Sequence, residues 1–351
     1  MMSDKKTLET RGGGFFRPLN TLILLAVMVF WMLIGSIVSF YMPVKPGDKE
    51  IINVYIKYGY GFSQVMSALE NENLLRNKKF FKFLLLPGEK YKKIKAGEYE
   101  MSRGMSSAAI MKKIIKGDVL RHRIVIPEGS DLMDIAAILS AKGLVDEEKF
   151  LKLAADRSFL KDIGIDYPSA EGFLFPDTYF FVIGEGEERI MKTMHARFVE
   201  KTDLDMKKIY SAGGRRLTGY SILKMASIIE KESKLDGERP LVASVFYNRM
   251  NSKENYQKKL ESCATVRYGL NKKTGPLLNR HLRIDTPYNS YIYIGLPPTP
   301  ICNPGLKSIH AALNPAKTNY RFFVIESDGA HTFSETLEQH NAAKRKNAGR
   351  Q

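Results

Sequence analysis

Cysteine is scarce in this 351-residue chain: Cys263 and Cys302 are the only two. Two are too few for a disulfide framework, and their spacing is not that of a metal site, so neither device explains the fold, and the redox compartment stays open. Acidic residues are also under-represented. Asp and Glu total 38 against 54 Lys and Arg, a formal charge of +16, which points to a polyanion or an anionic surface as partner. Nucleic acid, acidic lipid and cell-wall polymer all meet that description. The composition, 44% hydrophobic and 26% charged, is not that of a disordered chain, and the length suffices for two packed domains.

Charge is absent altogether from Leu19 to Met42, 24 residues that are long enough to cross a hydrocarbon layer of ~30 Å. The run exceeds the apolar region of a usual signal peptide and is not followed by a small-x-small cleavage site, so an uncleaved transmembrane helix over 19–42 is expected. Trp31 and Tyr41 are candidate interfacial anchors, Tyr41 the better placed because it lies at an end. Lys5, Lys6, Arg11 and Arg17 precede the run and only Lys45 follows closely, which predicts a single-pass protein with residues 1–18 in the cytoplasm and everything after Met42 outside. That orientation removes nucleic acid as a partner for the basic surface.

Beyond a short linker, Pro43 to Asp48, two stretches resemble each other at an offset of 70 residues. Val54 to Gly59 pairs with Ile124 to Gly129, Leu69 with Leu139, Leu74 with Leu144 and Phe80 with Phe150. Each copy reads as a strand, a glycine turn and an amphipathic helix. A second helix is expected over Ser107–Lys116, making 50–120 a small α+β module. Its lysines, Lys90, Lys92, Lys93 and Lys95, form either a solvated face or a contact with anionic lipid or polymer. The remainder, 121–351, reads as one larger α+β domain with helices over 131–142, 147–155, 187–210, 218–233 and 238–251 and a strand over Tyr320–Ile325. Between Tyr288 and Gly305 proline and glycine exclude helix and central strand, and a constrained loop wall is expected.

The chemistry is sought on the helix Leu217–Ser233. Projected at 100° per residue, Ile222, Met225, Ala226 and Ile229 form an apolar stripe that Glu232 extends, whereas Glu230 falls beside Leu223. Glu232 is thus the carboxyl aimed into apolar surroundings, where desolvation favours the protonated acid that can deliver a proton. Glu230 is placed for solvent or for support of its neighbour. Periodicity alone favours a plain charged helix end.

The blocks Glu171-Gly-Phe-Leu-Phe-Pro-Asp177-Thr-Tyr179, Met225 to Ser233 with its Glu-Lys-Glu, Val242 to Arg249, Leu260 to Tyr268, Asp285 to Tyr291, Gly295 to Gly305, His331-Thr-Phe333 and His340-Asn341 occur in that order. Together they resemble the YceG-like endolytic murein transglycosylases over nearly everything after the apolar run. The resemblance implies a LysM-like module at 50–120, a catalytic domain at 121–351, and Glu232 as the catalytic residue, in agreement with the helix projection. It also implies cleavage of peptidoglycan strands between N-acetylmuramic acid and N-acetylglucosamine, giving 1,6-anhydromuramoyl ends without cofactor or metal, beside a membrane-bound wall synthase. Tyr288, Asn289 and Tyr291 are candidates to stack on sugars and to bond N-acetyl groups, or else are packed core; Glu171 and Asp177 are candidate supporting residues of the substrate site. His331 is left outside the catalytic set. The chain departs from the common family pattern at Cys263-Ala264, where Asp-Pro is frequent, and at Cys302. The two cysteines are compatible with a disulfide or with two thiols. Two rival readings remain: a muramidase using Asp177, Asp285 or Glu171 as a second carboxylate, and a tethered glycan-binding scaffold without chemistry.

Overall fold

The structure is a computed structural model that describes residues 18–57, 59–85, 94–327 and 329–348. The chain divides into two compact units, one ending at Leu120 and the other beginning at Arg121. Residues 1–17 and Lys90, Lys92 and Lys93, on which the charge-orientation argument and most of the lysine cluster rest, lie outside the described residues.

The first unit opens with helix α1, Pro18–Tyr41, whose segment Thr21–Tyr41 has a mean hydropathy of 2.6 and exposes apolar side chains such as Leu22, Phe30 and Trp31. Such a helix is compatible with a membrane anchor, and a signal sequence has the same character. Its last turn is built into the unit. Phe40 is buried against Phe80 and Phe81, and Ser39 Oγ accepts from Asn77 Nδ2 at 3.2 Å. The following residues do not form a free linker: Pro43 bridges Ser106, and Lys45 N donates to Arg103 O at 3.0 Å.

Strand β1, Ile52–Ile56, pairs antiparallel with β2, Gly97–Met101, in the register Val54 to Tyr99. Helices α2, Phe62–Asn71, and α3, Lys78–Leu85, lie between the two strands in sequence, and α4, Ser107–Lys116, follows them. The inward faces meet in a core of Val54, Leu69, Phe81, Tyr99, Ile110 and Ile114. Ser106 Oγ caps α4 by accepting from Ala109 N.

In the second unit β3, His122–Val125, pairs antiparallel with β4, Thr178–Phe181. Between them run α5, Leu132–Ser140, α6, Glu147–Leu153, and α7, Arg157–Asp162. The internal repeat is visible here, one copy per unit. β1 and α2 correspond to β3 and α5, Leu69 and Leu139 are both fully buried, and the strands exit through glycines with φ of 81° (Gly59) and 80° (Gly129). A side chain would be strained at that backbone angle, which is why both copies carry glycine there.

Helix α8 spans Glu187–Thr202, shorter than the expected 187–210: Asp203 adopts φ 46° and ends it, and the chain turns into a hairpin of β5, Ile209–Ala212, and β6, Arg215–Thr218. Helix α9, Gly219–Glu232, packs against α10, Arg239–Met250, α11, Cys263–Gly269, and α12, Leu306–Leu313. The apolar stripe is therefore wider than one face. Ile222, Leu223, Met225, Ala226, Ile228 and Ile229 are all fully buried, at ~1.5–3 kcal/mol for each large side chain, so α9 is the central post of the unit. A last hairpin, β7, Phe322–Ile325, with β8, His331–Ser334, is followed by α13, Leu337–Ala348.

Candidate active site

Glu232 is the last residue of α9 and half-buried, at the edge of a cleft of about 740 Å³. Its Oε1 accepts from Ser262 Oγ at 2.5 Å and from Ala264 N, in the first turn of α11, at 3.3 Å. The immediate partners are thus polar, unlike the apolar surroundings that the helix projection suggests. Oε2 makes no hydrogen bond among the described residues.

The donors are themselves held. Ser262 N donates to Ser290 Oγ at 2.9 Å, and Ser290 Oγ also meets Thr265 Oγ1 at 2.8 Å, all in the buried interior. One residue earlier, Glu261 has φ 51°, a conformation few non-glycine residues adopt. Arg249 fastens this segment, with Nε donating to Lys259 O at 2.8 Å and Nη2 to the Glu261 carboxylate. The Asn248-Arg249 block is therefore structural support for the turn that reaches Glu232. Its partner Asn248 donates from Nδ2 to Thr318 O and Tyr320 O.

Glu230 does not reach solvent. Its side chain is 6% exposed, pairs with Arg239 Nη1 at 3.2 Å and accepts from Gly305 N at 2.9 Å, tying α9 to α10 and to the start of α12. Since both faces of α9 are buried, the position beside Leu223 is a supporting one. Lys231, between the two glutamates, lines the cleft and donates from Nζ to Gly129 O at 3.1 Å.

Glu171 is part of the cleft floor and is 1% exposed. Its Oε2 accepts from Leu132 N at 3.2 Å and Tyr268 Oη at 3.0 Å, and Oε1 accepts from Asn303 Nδ2 at 3.1 Å. Burial pushes its carboxyl up to about 8, further raised by Asp131 and Asp134, against the lowering effect of the Leu132 and Tyr268 hydrogen bonds. Asn303 is the hub beneath it. It takes the Leu174 amide on Oδ1 and gives Nδ2 to Ser130 O as well.

The other expected substrate residues are placed differently. Asn289 is 1% exposed, donates to Leu282 O and Ile284 O, and accepts from Tyr291 N, so its amide is spent on ordering its own loop and is not free for an N-acetyl group. Tyr288 packs edge-on to Tyr268 at 5.0 Å and bonds Thr299 Oγ1 at 2.8 Å, a core position outside the cleft lining. Asp177 is also outside the lining. Burial alone would raise its carboxyl, but hydrogen bonds from Arg197 Nε, at 2.6 Å, and from the Thr178 amide hold it below the usual carboxylate range. Tyr291 is nearer the chemistry, with its hydroxyl 3.2 Å from Cys263 Sγ, and Cys263 lines the cleft. Burial, followed by that contact, raises the Tyr291 phenol well above its ordinary range.

Both thiols are free: Cys263 is exposed, and Cys302 is buried with Sγ on Ser227 O at 3.3 Å. The loop from Tyr288 to Gly305 has no helix or strand, as its prolines require, yet it contributes only Ile301 to the cleft lining. It backs α9 from behind, where Ile301 N donates to Ser227 Oγ at 3.0 Å, and does not form the expected wall. His331 lies away from the cleft, bonded through Nδ1 to Glu238 at 2.6 Å. Ser262, Ser290 and Arg267 carry no periodic signal. Only their membership of the ordered blocks, Leu260 to Tyr268 for Ser262 and Arg267 and Asp285 to Tyr291 for Ser290, sets them apart.

Glu232 at the end of α9 and the buried Glu171 block thus line one cleft. The model of the YceG-like family matches residues 54–346, and the chain belongs to that family. It is 32% identical over 330 residues to a Bacillus subtilis protein named endolytic murein transglycosylase, covering 88% of each chain. A Streptococcus pneumoniae protein of the same name is 27% identical over 328 residues, which span 86% of this chain and 59% of that one. Among solved structures, a YceG-like protein from Listeria monocytogenes superposes with a TM-score of 0.54 at 31% identity, covering 84% of this chain and 99% of the other.

Proposed function

We propose that the chain is a membrane-anchored endolytic peptidoglycan transglycosylase in which Glu232 acts first as acid and then as base. The observation that carries this is the isolation of Glu232. Of the carboxylates lining the cleft, Asp131 and Asp134 are paired with Lys273 and Glu171 is buried under three donors, which leaves Glu232 as the one that is neither paired with a cation among the described residues nor fully buried. Hydrolysis with two carboxylates needs a second, available one about 5–10 Å away. Transglycosylation needs one.

The protonated Oε2 of Glu232 delivers its proton to the glycosidic oxygen between N-acetylmuramic acid and N-acetylglucosamine as the bond from the muramoyl C1 breaks. Ser262 Oγ and Ala264 N then hold the resulting carboxylate through Oε1. The same carboxylate takes the proton of the muramoyl 6-hydroxyl as that oxygen bonds to C1. A 1,6-anhydromuramoyl end forms, the proton is returned to Glu232, and no water is consumed.

Helix α1 supplies the anchor in this reading, with the N-terminus in the cytoplasm and both units outside. The burial of Phe40 supports an uncleaved helix, because cleavage near Met42 would remove a core side chain from the first unit. That unit engages glycan in the LysM-like manner the family resemblance implies. The enzyme limits the length of nascent strands beside a membrane-bound wall synthase.

The test is digestion of purified peptidoglycan with mass analysis of the muropeptide ends. Anhydro ends are expected. Ordinary reducing ends, heavier by one water, would support the muramidase alternative, and wall binding without fragments would support the scaffold.

A further inference from the structure

Acid–base chemistry on a neutral glycosidic bond needs no cations, yet the cleft has a positive wall. The first turn of helix α11 carries the Ala264 amide on Glu232, and Arg267 and Tyr268 follow one turn after Ala264, so they share its face and line the same cleft. The Arg267 guanidinium is held in place by backbone alone, with Nη2 donating to Gly275 O at 2.9 Å and Nη1 to Lys272 O at 3.5 Å. Asn271, with φ 49°, turns the chain back so that Lys272 N donates to Arg267 O at 2.8 Å, which brings Lys272 beside the guanidinium. Neither cation has a carboxylate partner among the described residues.

The acids of the cleft cancel this charge only in part, since Asp131 and Asp134 share one cation and leave a single carboxylate charge over. Lys273, the next residue, already takes Asp131 at 2.8 Å and Asp134 at 2.5 Å. Glu171 is buried, with its carboxyl at about 8, and so carries little negative charge at neutral pH. Lys231 adds a further cation. A guanidinium oriented by two carbonyls and left without an anion is pre-organised for bidentate binding of a carboxylate.

We propose that Arg267, with Lys272 beside it, forms a carboxylate-recognising subsite that selects glycan whose muramoyl residue near the scissile bond bears an acidic group. The proposal rests on the transglycosylase reading. The sugars of such a strand are neutral. Its carboxylates belong to the peptide stems or, where the stems have been removed, to the exposed lactyl groups.

The experiment uses the full-length protein in detergent with three soluble strands: stem-bearing with free carboxylates, stem-bearing with those carboxylates amidated, and stem-free with lactyl carboxylates. Rates of new-end formation give kcat/KM for each. The wild-type protein is expected to prefer at least one carboxylate-bearing strand over the amidated strand by about tenfold or more, the effect of a charge-assisted hydrogen-bond pair. Which strand is preferred identifies the source. In Arg267→Gln and Lys272→Gln the ratio should fall towards one, with Arg267→Lys intermediate. Because the readout is a ratio within each protein, a general loss of activity does not mimic it. Equal rates on all three strands with the wild-type protein, or an unchanged ratio in both Gln variants, would overturn the subsite. If no strand is cut, the transglycosylase reading falls, and anisotropy of the three labelled strands bound to Glu232→Gln protein still decides the subsite by the same ratio.

Discussion

The two glutamates of Glu230-Lys-Glu232 separate by what each carboxylate touches. Glu232→Gln removes the transferable proton while keeping a side chain that can still accept from Ser262 and Ala264. Cleavage should fall to background with unfolding temperature within about 2 °C of wild type, as a substitution that leaves packing intact allows. Glu230→Gln weakens a buried pair with Arg239, which retains Asp236 at 3.1 Å. The cost should lie near the lower end of the ~3–5 kcal/mol of a broken buried pair, read as a lower midpoint in thermal unfolding, with cleavage kept by the folded protein. The reverse pattern would exchange their roles. Glu171 adds a pH signature. Its folded carboxyl, at about 8, lies above the ordinary value of 4.5, so the folded state holds a proton that the unfolded state releases. Its contribution is fully present below about pH 4.5 and is lost as pH rises to about 8. Thermal unfolding at pH 5 and pH 8 should show a larger drop for wild type than for Glu171→Gln, and parallel drops would refute the buried-acid assignment. The place of Glu232 at the end of α9 was legible in the sequence, but its polar partners were not, because the helical projection set it among apolar residues. Ser262 was not, because its approach to Glu232 depends on a turn at Glu261 that local periodicity does not encode.

Four helices were legible as elements: α5, α6 and α9, each with a capping side chain at its start, and α10 fall within two residues of their expected ends. The hairpin β5–β6 was missed, because Ile209 and Tyr210 continue the helical spacing of α8 and only the left-handed Asp203 interrupts it. That hairpin delivers the chain to the start of α9 at close quarters. A Cβ on Gly219 would lie 2.1 Å from Asp205 O, a backbone atom that cannot swing aside. Gly219→Ala should therefore displace the first turn of α9 and cost about 1–3 kcal/mol, roughly 2–10 °C in unfolding midpoint for a unit of this size. An unchanged midpoint would mean that the two segments separate without penalty. The loop behind α9 was legible only in part. Its prolines excluded regular structure, but composition does not tell a loop that walls a cleft from one that runs through the core, as Ile301, Cys302 and Asn303 do.

For the whole molecule, the endolytic reading makes a kinetic statement. With long uncrosslinked strands, mean length should collapse early while few disaccharides appear, as followed by size separation over time. Steady release of disaccharides from an end would refute endolytic cutting and leave the chemistry untouched. The second unit has its own continuous core, so residues 121–351 should fold alone and keep some cleavage of soluble strands. Loss of all cleavage in that folded fragment would assign the first unit a share in the active site. One copy of the 70-residue repeat lies in each unit, after α1 in the first and at the start of the second.

The joint between α1 and the first unit has a mechanical consequence. Residues 43–48, counted as a slack cord, would let the unit wander by tens of ångströms; bound as they are to Arg103 and Ser106, with Phe40 plugged into the hydrophobic interior, they form a rigid shaft and collar. A pull on the first unit is then felt by the helix itself as torque, and tilting of the helix in a bilayer would tilt the unit with it. A glycine-serine insertion between Met42 and Pro43 would turn the collar into a swivel.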